Sequence, residues 1–224
     1  NLPNSSPDER LAILEGVLRH DPQNEQLLRD TAEAALTANR VAEARALFDR
    51  LESLRPLTDA EANLDAIAAM RGGSTEVAAE AFARLRQASP EDAGLSFNHA
   101  WALSLAGRHD EAAEALSEAA TGTLPQAAML EVQLAHQAGR FDVAAQLAQR
   151  HLAAHPGYPP LFAAVSVLAM DIEDEVLARQ CAEAGGDHPD ALTTLGLLIL
   201  GESRLDEAME LLVQAEATRP NSLR

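Results

Sequence analysis

Six short stretches decide the fold: NRVAEA at 39–44, GSTEVA at 73–78, GRHDEA at 107–112, GRFDVA at 139–144, EDEVLA at 173–178 and SRLDEA at 203–208. Their closing alanines, Ala44, Ala78, Ala112, Ala144, Ala178 and Ala208, follow one another at intervals of 34, 34, 32, 34 and 30 residues. Pro56, Pro90, Pro156 and Pro220 each lie twelve residues after one of these alanines, and Pro22 extends the series upstream. Pro125 and Pro189 fall near the same slot in the two short repeats. Two independent markers with one period define an internal repeat. A period of roughly 20–50 residues means stacked supersecondary units.

Each unit reads as two helices. In 93–123, Phe97, Ala100, Leu103 and Leu105 precede a break at Gly107-Arg108. A second helix led by Asp110-Glu111 then carries Ala112, Leu116 and Ala119. Acids in a first turn complement the helix dipole, and glycine at the break suits a left-handed residue closing the first helix. The proline stops the second helix or starts the next. Alanine fills about a fifth of the chain and aromatics only 3%, which favours helix over strand. Neither helix of a unit can bury its apolar stripe alone, so the units must stack.

These residues resemble the tetratricopeptide repeat family. The resemblance rests on the Leu195-Gly196 pair of the last unit, on Thr31-Ala32, Asp65-Ala66 and His99-Ala100 in the same slot upstream, and on the small residue opening each second helix. An aromatic slot four residues later holds Phe48 and Phe82, then Leu116, Ala148, Ala182 and Leu212. The implied fold is all-α, a right-handed solenoid of helix-turn-helix units. A lone second-type helix at Asp8 to His20 lies in 1–24, ahead of six units at 25–58, 59–92, 93–124, 125–158, 159–188 and 189–222 that form one array of about thirteen helices. The fifth unit should have a shortened second helix ending near Gly185-Gly186. The early tryptophans and tyrosines of the family pattern are replaced by alanine and leucine.

Composition narrows the function. The chain has 35 acids against 17 bases, all arginine, for a net charge of −18. Nucleic-acid binding is not expected, since phosphate contacts need clustered bases. An anionic membrane surface is equally unsuited, and the longest apolar run, around Leu195 to Leu200, is too short to insert. The single cysteine, Cys181, excludes an internal disulfide and reads as a small buried residue. The missing lysines and abundant alanine point to a GC-rich, bacterial genome. The compartment, cytoplasmic or periplasmic, stays open.

No catalytic constellation is expected. Phosphate loops, dinucleotide fingerprints and Gly-x-Ser-x-Gly elbows are absent. His151 and His155 have metal-ligand spacing but no obvious third ligand, and His155 before Pro156 suits a helix C-terminus. The acid pairs Asp110-Glu111, Glu173-Asp174 and Asp206-Glu207 share a helix-start slot, so solvated caps explain them. The sequence therefore reads as a non-enzyme with no cofactor and no metal.

What the resemblance implies about function sits on the first helices, which line a concave groove in this family. Mapped one residue at a time, the groove slots hold Arg29, Glu33, Leu36, Asn63, Ile67, Met70, Arg71, Phe97, Asn98 and Trp101. In the later units they hold Met129, Gln133, His136, Ala163, Val167, Met170, Thr193 and Leu197. Met70, Met129 and Met170 recur across three units, and Trp101 is the only tryptophan. Thioethers and a large aromatic suit a groove that grips an apolar segment; equally, tight curvature would bury them against each other. The lysine-dependent carboxylate clamp of the family has no matching trio here.

The expected role is a protein–protein interaction scaffold that binds a peptide or helical segment. The alternatives are a targeting or regulatory arm of a larger bacterial enzyme, such as a transferase, and an envelope secretion or assembly factor. At the far end, Leu205, Ala208, Leu212 and Ala215 are expected to face their own unit. Met209 and Val213 are left on an outer stripe. An uncapped solenoid face is sticky. The expectation is a segment of a longer protein, or a homodimer through that end that strengthens with salt, unless the tail Asn221 to Arg224 covers the stripe.

Overall fold

The computed structural model describes residues 6–218. Fourteen helices and no strand occur among these residues, and they fall into two compact units divided after Arg108. Each is a stack of antiparallel helices, and the architecture is an all-α solenoid.

The first unit holds α1 (Pro7–Leu18), α2 (Glu25–Thr37), α3 (Val41–Leu54), α4 (Asp59–Arg71), α5 (Thr75–Ala88) and α6 (Ala93–Leu105). The second holds α7 (His109–Ala115), α8 (Glu118–Thr123), α9 (Pro125–Gln137), α10 (Phe141–Ala154), α11 (Pro159–Asp171), α12 (Glu175–Gly185), α13 (Pro189–Gly201) and α14 (Leu205–Thr218). Pro125, Pro159 and Pro189 occupy first-turn positions of α9, α11 and α13, where a missing N–H costs nothing. Pro22, Pro56, Pro90 and Pro156 lie in the connections after second-type helices. Pro220 lies outside the described residues.

The repeat is written into the backbone at the turn inside each pair. Asn39, Gly73, Gly107, Gly139, Glu173 and Ser203 all have positive φ, between 58° and 84°. The next residue's N–H reaches back to a first-helix carbonyl five residues earlier, as in Arg40 N to Ala35 O at 2.7 Å and Asp174 N to Ala169 O at 2.9 Å. This closes the first helix through its otherwise orphan carbonyls. Glu173 therefore does not sit in a helix-start acid pair as expected. It occupies the left-handed slot that Gly73, Gly107 and Gly139 fill in other pairs, and only Asp174 caps α12, accepting from Leu177 N at 3.0 Å. A β-carbon in that conformation is strained. Glu173→Gly is expected to raise stability by about 0.5–1 kcal/mol in urea denaturation. No gain, or a loss, would show that the Glu173 side chain contributes more than its backbone costs.

The six periodic alanines are fully or almost fully buried, because second helices approach their own first helix there. Phe48 and Phe82 fill the slot four residues on and are likewise sequestered. In α10 the same slot holds Ala148, clustered with Leu161, Val165, Leu168 and Cys181. Burial pushes the Cys181 thiol up to about 11, which leaves it unreactive at neutral pH.

Two elements depart from expectation. The second helix of the third repeat is not continuous: α7 stops at Ala115, Leu116 lies in the break, and α8 starts anew at Glu118. Ser117, extended at φ −93° and ψ 154°, caps α8 by accepting from Ala120 N. A serine that competes for backbone N–H groups favours a cap over a helix interior. The extra break makes fourteen helices of the expected thirteen. In the last helix, Ala208 and Ala215 are buried as expected, but Leu205 is 63% exposed. It stands at the first turn of α14.

Between the first two repeats lies a charge cluster that the sequence pattern did not flag. Arg55, at the end of α3, holds Glu61 through both guanidinium ends at 2.7 Å and Glu25 at 2.9 Å. Glu61 also completes a capping box with Thr58 on α4. The Arg55 guanidinium holds the Glu61 carboxyl down to about 2 from its ordinary 4.5, helped by the Thr58 N–H and opposed by burial. A carboxyl whose folded pKa is depressed stabilises the fold above its unfolded pKa. That contribution fades as pH falls through 4.5 toward 2. Glu61 is 3% exposed while the Arg55 side chain is 30% exposed, so solvent screens part of the pair. Glu61→Gln is expected to cost about 2 kcal/mol at neutral pH. Thermal melts should show the difference from the parent shrinking toward pH 2–3.

Candidate functional site

The expected groove residues fall in both units. In the first unit, a cleft of about 450 Å³ opens between α2 and α4, lined by Glu33, Leu36, Thr37, Leu64, Ile67 and Arg71. Four of the six, Glu33, Leu36, Ile67 and Arg71, were expected on the groove slots. Thr37 lies four residues after Glu33 and Leu64 three before Ile67, so each shares a helix face with an expected residue. Leu36 is buried, so it forms the floor and not an open face. Arg71 Nη1 donates to Leu36 O at 3.2 Å and fixes one rim. Arg29 Nε lies 3.4 Å from Glu33 Oε1 on the other.

Asn63 and Met70, on α4, are half-buried. The Asn63 Oδ1 is buried and accepts no hydrogen bond among the described residues. On α6, Phe97 and Trp101 stack edge to face with centroids 5.3 Å apart at 72°. Both are half-buried, as is Asn98. One helical turn separates the two rings, and their pairing holds the indole in one orientation.

In the second unit, Met129 packs on the Val132 to Cys181 cluster and Met170 on Ala169, Ala178 and Leu198. Both methionines, with Gln133 and Val167, remain half-buried. His136 Nε2 is 2.6 Å from Asp171 Oδ2, bridging α9 to α11, and its ring lies 5.8 Å from Phe141. Asp171 was missed by the slot reading; it follows Met170 by one residue, as Thr37 follows Leu36. Thr193 bonds its own helix at Pro189 O, and Leu197 is exposed.

Ala163 does not face a groove. It is fully buried against Ala182 and Ala191, and a Cβ on Gly185 would lie 3.3 Å from its backbone nitrogen. The shortened α12 draws α11 and α13 together at this point, which closes the slot.

The two histidines spaced like metal ligands have other partners. His151 is buried, with Nε2 2.6 Å from Glu131 Oε2, and Arg150 holds the same oxygen at 2.9 Å. His155, at the end of α10, has Nε2 2.9 Å from Thr121 O of α8. Among the described residues no three His, Cys, Asp or Glu side chains converge as a metal site, and no helix is long and apolar enough to cross a membrane.

Comparison with known proteins follows the same lines. No curated protein matches the chain by sequence. Among solved structures, a tetratricopeptide repeat protein from Parabacteroides merdae is similar at TM-score 0.74 and 14% identity, over 95% of this chain and 86% of its own. PilW, a type IV pilus biogenesis factor, is similar at TM-score 0.70 and 19% identity, over 88% of this chain and 94% of its own. YrrB, a protein of this repeat class with an unusual peptide-binding site, is similar at TM-score 0.59 and 15% identity, over 86% and 98%. At these identities the likeness is one of fold. The family model for the tetratricopeptide repeat matches residues 8–57, 64–128 and 125–159, more than half of the chain. With its paired helices, left-handed turns and buried periodic alanines, the chain belongs to the tetratricopeptide repeat family.

Proposed function

We propose that the chain is a non-catalytic scaffold whose first helices grip a peptide or helical segment of a partner protein. The cleft between α2 and α4 carries this reading: an apolar floor of Leu36, Leu64 and Ile67 between the rims of Glu33 and Arg71. Such a cleft suits an extended or helical segment with one apolar anchor and polar flanks. The Phe97–Trp101 pair offers a rigid aromatic anchor. The second segment differs in chemistry. Helices α11 and α13 carry acids only at Asp171 and Asp190, so Val167, Met170 and Leu197 present an apolar, adaptable wall.

The test is a pull-down from the native organism with the whole chain as bait, run beside Ile67→Asp and Trp101→Ala. Proteins captured by the parent should be reduced about tenfold or more on both variants. Thermal stability should change little, because both side chains are only half-buried. Equal capture by parent and variants would overturn the groove reading. A large loss of stability in Trp101→Ala would assign the indole to the core.

A further inference from the structure

A second cavity of the first unit, about 640 Å³, opens between the second-type helices α1 and α3. It lies over Thr31, on the opposite face of α2 from the cleft at Glu33 and Leu36. Its floor is Leu18, Thr31 and Leu47, all buried. Arg19, the C-cap of α1, and Arg50, near the end of α3, stand exposed on its walls. Both helices run antiparallel to α2, so the two guanidiniums lie toward the same end. Arg50 Nη2 donates to Pro22 O at 2.7 Å, in the turn just after Arg19, and Arg19 Nε reaches Glu15 O at 3.4 Å. Neither arginine pairs with a carboxylate among the described residues, in a chain with 35 acids for 17 bases. The wall acids sit elsewhere. Glu43, near the start of α3, lies 3.5 Å from Arg40, which also reaches Asp8 at the start of α1. Glu15 stands between the two ends, one turn before Arg19.

The same position one repeat along has the opposite character. There Glu15, Leu18 and Thr31 are replaced by Asp49, Glu52 and Asp65. Burial pushes the Asp65 carboxyl up, Arg45 pulls it down from 2.9 Å, and Asp49 and Glu52 raise it further. That groove repels anions and its Arg45 is taken; the first groove has an apolar floor and two arginines with donors to spare. Nor would further repeats fill it. Ile13 and Val17, on the far side of α1 from Glu15 and Arg19, align with Leu47 and Leu51, which α3 buries. A helix stacked ahead of α1 would cover those two side chains and leave the cavity open. We propose that this cavity binds a small organic carboxylate with an apolar body. Arg19 and Arg50 hold its carboxylate, as guanidinium forks do, and the body lies along Leu18 and Leu47. The volume falls within the roughly 300–1,000 Å³ of small-ligand sites. Glu15 on the same wall and the chain's charge of −18 favour one negative charge over two, hence a carboxylate over a phosphate. The site is separate from the peptide cleft and does not depend on it.

The test titrates the whole chain into fluorescent pyrenebutyrate and follows its anisotropy, beside pyrenebutanol, which has the same body without the charge, and the phosphate ester of that alcohol. The carboxylate should bind at least about tenfold more tightly than the alcohol, more tightly than the phosphate ester, and less tightly as salt is added. Arg19→Gln with Arg50→Gln should weaken the carboxylate about tenfold and leave the alcohol unchanged. Both side chains are exposed, so the variant should fold normally, as circular dichroism would confirm. Ala46→Phe, which fills the cavity from an exposed position on its wall, should weaken carboxylate and alcohol alike. Arg84→Gln, at the register of Arg50 one repeat along, and Ile67→Asp in the peptide cleft should change nothing. No binding of the carboxylate, or equal binding of the alcohol, overturns the proposal. So does a loss in Arg84→Gln as large as that in the double variant, since general charge is then responsible. Tighter binding of the phosphate ester overturns the assignment to a carboxylate.

Discussion

Replacing Phe82 with alanine is expected to lower stability by about 3–5 kcal/mol, the range for deleting a fully buried aromatic. The ring has no exposed surface, and its helix packs against α4 and α6. The buried residues those helices bring are mostly alanines, among them Ala66, Ala69, Ala100 and Ala102. Short side chains cannot swing in to fill the void, so the cavity cost adds to the lost transfer energy. The contrast is Ala148, at the same slot in α10, where Leu161, Val165 and Leu168 already occupy the space. Urea denaturation followed by far-ultraviolet circular dichroism measures the loss. A cost below about 1 kcal/mol would mean that the neighbouring helices collapse onto the site.

Gly185→Val should be nearly as damaging, at about 3 kcal/mol or more, for the opposite reason. A Cβ at Gly185 would stand 2.7 Å from the Cβ of Ala191 and 3.3 Å from the backbone nitrogen of Ala163. Neither neighbour can rotate away, so α11 or α13 must move, and overpacking of this kind is costly. The thirty-residue spacing is what demands the contact, because it removes about one turn from α12 and brings three helices together on small residues. Gly185→Ala should be milder, and Ala191→Gly should restore part of its loss. A double-mutant cycle on these two changes would measure that coupling. Independent, additive effects would show that the close approach is not what limits the site.

The sequence alone determined the period, the helix pairs, the turn position and the family, because each depends on residues close along the chain. The buried alanines at 44, 78, 112, 144, 178 and 208, the short α12 and the place of Phe48 and Phe82 were all legible from spacing. So were Glu33, Leu36, Ile67 and Arg71 as neighbours, since a helix face repeats every 3.6 residues. Tertiary structure decided which of those faces is open. Ala163 and Leu197 occupy slots of the same kind, yet Ala163 is sealed by Gly185 and Ala191 while Leu197 is exposed. Only packing supplied the Arg55–Glu61–Glu25 cluster and the His136–Asp171 bridge across 35 residues. Periodicity reports the direction in which a side chain leaves its own helix. Burial and pairing depend on what the next helix brings to that point, and on how closely small residues let it approach.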